Sequence, residues 1–320
     1  VRANLDPVDP PPVTPDPIAT GTTADTGPEP IDCSRAIDPE DLTYRSLDVA
    51  IEEDFDFDED GNLLTEGLNG LVGVSRDGDT RALAGSVGEI YGIRSTVEGD
   101  VALVDPTGVI RLVDPRTGGS DVVFSGGLTY PNGLEASEDG TLYVTDAWSG
   151  GWVHHVDPLA GSGAPIVDLV ANGVVLSHDE QTLYLTVSTA GGGGADIVAV
   201  SRALDGTWDP ASRRVLYVAS ELVTALTVDA CENLYGVGYN SGRVFRIDAT
   251  GQVTVFVALP AEEGEFGTAF TAIHFSPGFG DWDPTALYVS NRQTTLFEVP
   301  TGAREPRPDA LTSVGVLLAP

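Results

Sequence analysis

The sequence has no lysine and no methionine, and only two cysteines and four histidines. All 16 basic residues are arginine, set against 49 Asp and Glu, which leaves a formal net charge of −33. That balance argues against nucleic acid and anionic membrane as partners and favours cations. No apolar run approaches the ~20 residues of a membrane span. Methionine is missing even at position 1, so the chain reads as a mature exported protein, secreted or at the cell surface after removal of a signal peptide. Cys33 and Cys231 suit one disulfide in an oxidising compartment, or two unrelated buried thiols. No hydroxyl sits in a G-x-S-x-G context, and Gly191–Gly194 lacks a P-loop lysine, so neither a serine-hydrolase elbow nor a phosphate loop is present.

What is abundant is glycine and proline, 38 and 22 residues, among short Val/Leu/Tyr runs. This is the composition of short strands and tight turns. Residues 1–32 hold eight prolines, five threonines and no aromatic residue. Such a stretch cannot bury enough apolar surface to offset its ordering entropy, so it reads as an extended Pro-rich N-terminal arm or linker.

From residue 33 to 320 one unit recurs. Its clearest copies are Tyr130-Pro131-Asn132-Gly133-Leu134 followed by Glu138-Asp139-Gly140-Thr141-Leu142-Tyr143-Val144, and Ala171-Asn172-Gly173-Val174 followed by Thr182-Leu183-Tyr184-Leu185. Each reads as a strand, a tight turn and an alternating strand. Six copies align on the residue five positions before the turn: Glu53, Tyr91, Asn132, Asn172, Thr224 and Thr271, spaced 38, 41, 40, 52 and 47 residues apart. With a third and fourth strand in most units, the pattern predicts a six-bladed β-propeller, all-β throughout. Ring closure falls to residues 42–49 as outer strand of blade six, with the apolar tail 314–318 as competitor. The six aligned residues enter the innermost strands from one face, so they are expected as a ring at one channel mouth, with the Asp-Gly turns opposite. Cys231 lies in a turn on blade five, next to the blade that the N-terminal strand closes, so a Cys33–Cys231 bridge would pin the root of the arm.

One Glu and two Asn converging on a channel mouth outline a hard-cation site, because calcium takes carboxylate and amide oxygens. Asn-Gly is equally a common turn pair, in which Asn caps backbone. Asp56–Gly61 imitates the start of an EF-hand loop, but Gly67 stands where its Glu belongs. His154 and His155 are neighbours on a strand and point to opposite faces. His274 reads as a core histidine. Trp148 and Trp152 read as a sugar-stacking surface or, the commoner use, as interblade packing.

The repeats resemble the six-bladed superfamily of gluconolactonase, paraoxonase and strictosidine-synthase-like proteins. The resemblance implies that Glu53, Asn132 and Asn172 are three ligands of a catalytic Ca2+. It also implies that Thr224 stands where the family has an Asp ligand, with Glu221 three residues earlier as a substitute. Asp54 and the Ile93 carbonyl match two ligands of a second, structural calcium found in paraoxonase-like members. Gly133 stands where that group has Asp, and Tyr91 where those lactonases use His. With one carboxylate missing, the first expectation is an exported acidic assembly or binding protein that self-associates through the arm, and extends into a filament if that contact does not close. The alternative is a calcium-dependent lactonase, arylesterase or phosphotriesterase.

Overall fold

The computed structural model describes residues 42–147, 150–188, 194–261, 269–292 and 295–303. The arm, Cys33, Trp148 and the 314–318 tail lie outside the described residues. The Cys33–Cys231 bridge, the docking of the arm and the competing closing strand therefore lie outside them too.

The described residues form 24 strands in six four-stranded antiparallel sheets. Five sheets use four consecutive strands. The sixth takes its inner three from Phe270–Phe275, Ala286–Asn291 and Thr295–Pro300, and its outer strand is Arg45–Leu47, from the beginning of the chain. The register there is Arg45↔Glu298, Ser46↔Phe297 and Leu47↔Leu296. Each innermost strand touches the next, and that of blade six touches that of blade one. The architecture is therefore a closed six-bladed propeller.

Apolar side chains are distributed as six wedges, one between each pair of adjacent blades. A blade covered on both faces needs apolar residues on both, so its inner strands do not alternate. The second strand of blade three, Leu142–Asp146, is buried along its whole length, whereas the outer strand of blade two, Ser120–Ser125, is mostly exposed. The wedge between blades six and one holds Phe55, Phe57, Trp282 and Tyr288. Phe57 packs edge-on against Trp282 and Tyr288 at 5.2 and 5.3 Å.

The turns confirm the repeat and vary it. Gly140 closes the blade-three turn at φ 81°, a left-handed conformation that suits glycine. The equivalent residue is Glu180 on blade four (φ 53°) and Glu232 on blade five (φ 61°). Both carboxylates reach sideways. Glu138 N–H donates to Glu180 Oε1 at 2.8 Å, and His178 N–H donates to Glu232 Oε1 at 3.2 Å. Each strained glutamate thereby ties its turn to the preceding blade.

Candidate functional site

The inner strands do not enter the channel straight. In blades three, four, five and six their pairing with the second strand slips between Pro131 and Leu134, Ala171 and Val174, Val223 and Ala225, and Phe270 and Ile273. Each slip is a β-bulge, which re-aims side chains, and each falls on an aligned residue. In three blades a second-strand hydroxyl satisfies the bulged backbone. Gly133 N–H donates to Thr145 Oγ1 at 2.8 Å, Gly173 N–H to Thr186 Oγ1 at 2.7 Å, and Ala272 N–H to Ser290 Oγ at 3.1 Å. The Thr and Ser of the repeated second strand thus hold the geometry of the mouth.

Glu53, Tyr91, Asn132, Thr224 and Thr271 line one small cavity, with Asp54, Arg94, Gly133 and Gly173. Asn172 adjoins it through Gly173 but is not itself in the lining. The free space is about 20 Å3, room for one water or one bare ion. Among the described residues, the side-chain amides of Asn132 and Asn172 have no hydrogen-bond partner. Thr224 is committed: its hydroxyl donates to the Phe270 carbonyl of blade six at 2.7 Å. Thr271 Oγ1 lies 3.1 Å from Ser290 Oγ. Tyr91 stacks edge-on with Tyr130 at 5.5 Å.

Glu53 is the ring's one carboxylate. Arg292 Nε lies 3.3 Å from its Oε2. Burial raises the Glu53 pKa to about 7, despite Arg292, and the neighbouring Asp54, Glu89 and Glu66 charges add to the rise. Glu221, the expected substitute for the missing aspartate, is not in the cavity lining. It lies 3.8 Å from Arg243 and packs over Gly238.

Three residues further along the inner strands lies a second ring: Asp56, Arg94, Glu135, Val175, Thr227 and His274. All six line a deeper cavity of about 80 Å3. Four of them are ionisable. Arg94 Nη1 donates to Asp54 Oδ2 at 2.9 Å and to the Ile93 carbonyl, and its Nε lies 3.5 Å from Glu135 Oε2. His274 Nε2 is 3.2 Å from Asp54 Oδ1, and Ile93 N–H also donates to Asp54 Oδ2 at 3.1 Å. Burial works against ionisation of Asp54, but Arg94 and His274 hold its carboxyl below the usual range. Burial likewise opposes the Arg94 charge, and Asp54, Asp56 and Glu135 hold its pKa up. Burial raises Asp56 in spite of Arg94 and His274.

These contacts correct one expectation. Asp54 and the Ile93 carbonyl, matched to a second calcium, are both bonded by the Arg94 guanidinium, so this position does not fit a metal ion. They also give His274 a role beyond the core, as the partner of Asp54 in the channel. The mouth does fit a hard cation, because the Glu53 carboxylate and the unpartnered Asn132 amide line a space of ionic size, with Asn172 adjoining it through Gly173. Among the described residues no group of three or more His, Cys, Asp or Glu could hold a metal, so such a site depends on neutral oxygens.

The remaining candidates are structural. Asp58 of the EF-hand-like stretch accepts from Asn62 N–H and Nδ2, both at 2.7 Å, closing a turn, and Asp56 accepts Ser95 N–H at 2.7 Å. His154 is buried, and His155 stacks on Tyr143 at 5.2 Å.

No protein-family model matches the chain, and no curated protein matches its sequence. Solved structures do. A gluconolactonase from Xanthomonas campestris superposes with a TM-score of 0.66 at 20% identity, covering 82% of this chain and 90% of that one. Regucalcin from Agrobacterium tumefaciens, a calcium-binding protein, gives 0.63 at 15%, covering 82% and 95%. A luciferin-regenerating enzyme gives 0.62 at 13%, covering 82% and 97%. At these identities the likeness shows the fold. The structural neighbours are six-bladed propellers of the gluconolactonase and regucalcin type, the superfamily that the repeats resemble.

Proposed function

We propose that the protein is a hydrolase of lactones or esters whose active site is the mouth ring, with a weakly held calcium ion as cofactor. The observation that carries this reading is that Glu53 and Asn132 line one cavity of ionic size at the mouth, which Asn172 adjoins through Gly173. Glu53, Asn132 and Asn172 would hold the ion, which when bound polarises a carbonyl or phosphoryl oxygen. The two amides supply oxygen without charge, leaving the bound ion strongly electrophilic. Tyr91 lines one side of the mouth, with Tyr130 packed edge-on against it. Arg292 offsets part of the Glu53 charge. The gluconolactonase and the calcium-binding regucalcin among the structural neighbours support the enzyme reading over the assembly reading, which retains only the composition of residues 1–32 in its favour. Export and a Cys33–Cys231 disulfide belong to this proposal as expectations from the sequence.

The test is an assay of the purified chain against small lactones, aryl esters and phosphotriesters, in calcium and in chelator. Turnover in calcium that disappears in chelator and in the Glu53→Gln variant is expected. No turnover of any class in calcium, with no calcium-dependent change in melting, would sink the reading.

A further inference from the structure

The centre of the channel presents a donor set that is hard-cation chemistry throughout: the carboxylates of Asp54 and Glu135, the Ile93 carbonyl, and Asp56 in the same layer. Calcium takes this kind of all-oxygen set. A buried carboxylate without a counter-charge is strongly disfavoured, so a group of them around Arg94, which lines both cavities, requires a cation. We propose that Arg94 is that cation: a guanidinium tethered to the chain takes the place of a divalent ion at the hub, and makes the ring independent of metal there.

Three observations support this. The first is the contact pattern. The Arg94 side chain, 11% exposed, bonds Asp54 and Ile93 O and lies against Glu135, which are oxygens from blades one, two and three. His274 of blade six takes the other Asp54 oxygen. One charged group therefore links three blades directly and a fourth through Asp54, which is what a coordinated ion does in a ring. The second is geometry. A planar fork of donors suits carboxylates arranged around it, and it holds them apart, consistent with the lack of a metal-competent cluster among the described residues. The third is sequence context. Arg94 stands in the ring position three residues after Tyr91, where its neighbours on either side are acidic, Asp56 on blade one and Glu135 on blade three. The positive member of the layer sits between its negative members.

This inference does not depend on the proposed activity, and the test keeps the two apart by working in a Glu53→Gln background, which removes the carboxylate of the mouth ring. Melting is followed in EGTA and in calcium for Glu53→Gln, Glu53→Gln/Arg94→Ala and Glu53→Gln/Arg94→Lys, with terbium luminescence as a second readout of ion binding. The Glu53→Gln protein is expected to ignore calcium. The Arg94→Ala protein is expected to melt lower in EGTA and to recover by about 5–10 °C in calcium, with terbium bound, because an ion that binds only the folded state stabilises it by mass action. The Arg94→Lys protein keeps a tethered charge and is expected to fold in EGTA without a calcium response. A folded Arg94→Ala protein that neither responds to calcium nor binds terbium overturns the proposal. If that variant folds in neither condition, Arg94→Lys decides: a calcium-indifferent fold supports the proposal, and loss of folding in EGTA overturns it. Wild-type protein that ignores calcium would count against the mouth reading and leave this one standing.

Discussion

Arg292 Nε lies 3.3 Å from Glu53 Oε2 across the seam between blade six and blade one. The pair spans the seam between the last blade and the first, so the one carboxylate of the mouth ring is answered by a residue from the far end of the propeller. The answer is partial. Arg292 is 38% exposed at its side chain, and burial still raises Glu53 to about 7.

A pH dependence follows. Glu53 has its ordinary value of 4.5 in the unfolded chain and about 7 in the fold. The folded state therefore binds the proton more tightly. Its contribution is fully present below pH 4.5 and is lost as pH rises through 7. The loss is on the order of 3 kcal/mol. In chelator, wild-type protein should lose melting temperature between pH 5 and pH 8 relative to Glu53→Gln, and calcium should restore it at pH 8. Burial lowers the pKa of His154 and His155, which acts in the opposite sense below pH 6.5, but equally in both proteins. Parallel pH profiles for the two proteins would contradict the assignment.

Thr224→Asp should restore a second carboxylate to the mouth. Calcium affinity rises with ligand charge, and a gain of at least about tenfold is expected by calorimetry, which is about 1.4 kcal/mol. The substitution removes the donor to the Phe270 carbonyl. In chelator it should therefore cost about 1–3 kcal/mol. Unchanged calcium affinity would place position 224 outside the site.

Gly133→Ala should damage the mouth without touching a charge. A Cβ there would collide with the Asn172 carbonyl and sit 2.9 Å from Thr145 Oγ1. Overpacking of this kind costs about 1–3 kcal/mol. The expected result is a drop of several degrees in melting temperature together with weaker calcium binding, because Asn132 moves with the bulge. A fall in stability alone would show that the bulge tolerates the methyl group in place.

The closure of blade six offers a comparison within one cluster. Glu298 accepts from Arg45 Nη2 at 2.7 Å, from Arg76, and from Tyr288 Oη at 3.0 Å. Arg76 lies against Trp282 with its side chain 14% exposed and its guanidinium 5.1 Å from the ring centre, whereas the Arg45 side chain is 62% exposed. Glu298→Ala leaves the mostly covered Arg76 cation without its partner and should cost about 3 kcal/mol. Arg45→Ala removes an exposed pair and should cost less than about 1 kcal/mol. Urea midpoints for the two variants check the contrast, and equal effects would refute it.

The fold was legible in the sequence because a propeller is written as repetition. The Asn-Gly strands, the turns and the alternating second strands recur every 38–52 residues, and four strands at that period make a propeller blade, with the short segment around Arg45–Leu47 as its closing strand. The ring positions followed from the same alignment. What was not legible lies between blades. The offset of three residues that separates Glu53 from Asp56 and Thr271 from His274 also picks out Arg94 and Glu135, and applying it to every copy finds the deeper ring. Nothing local says that Arg94 reaches back to Asp54 of another blade, or that Glu221 turns to Arg243 instead of the mouth. Those outcomes depend on side chains meeting across strands distant in sequence.

The register of Arg45 against Glu298 joins residues 253 positions apart. A chain made at about 5–20 residues per second keeps its opening strand waiting roughly 13–50 s for a partner. Blades one to five can form in that interval from contiguous chain, while blade six cannot. The final step in biogenesis is then the docking of a segment synthesised first, and it is short: three residues, two of them exposed. A brief polar edge of this kind is a poor template for wrong pairing, so the propeller can wait for its last blade without recruiting a neighbouring chain to supply it.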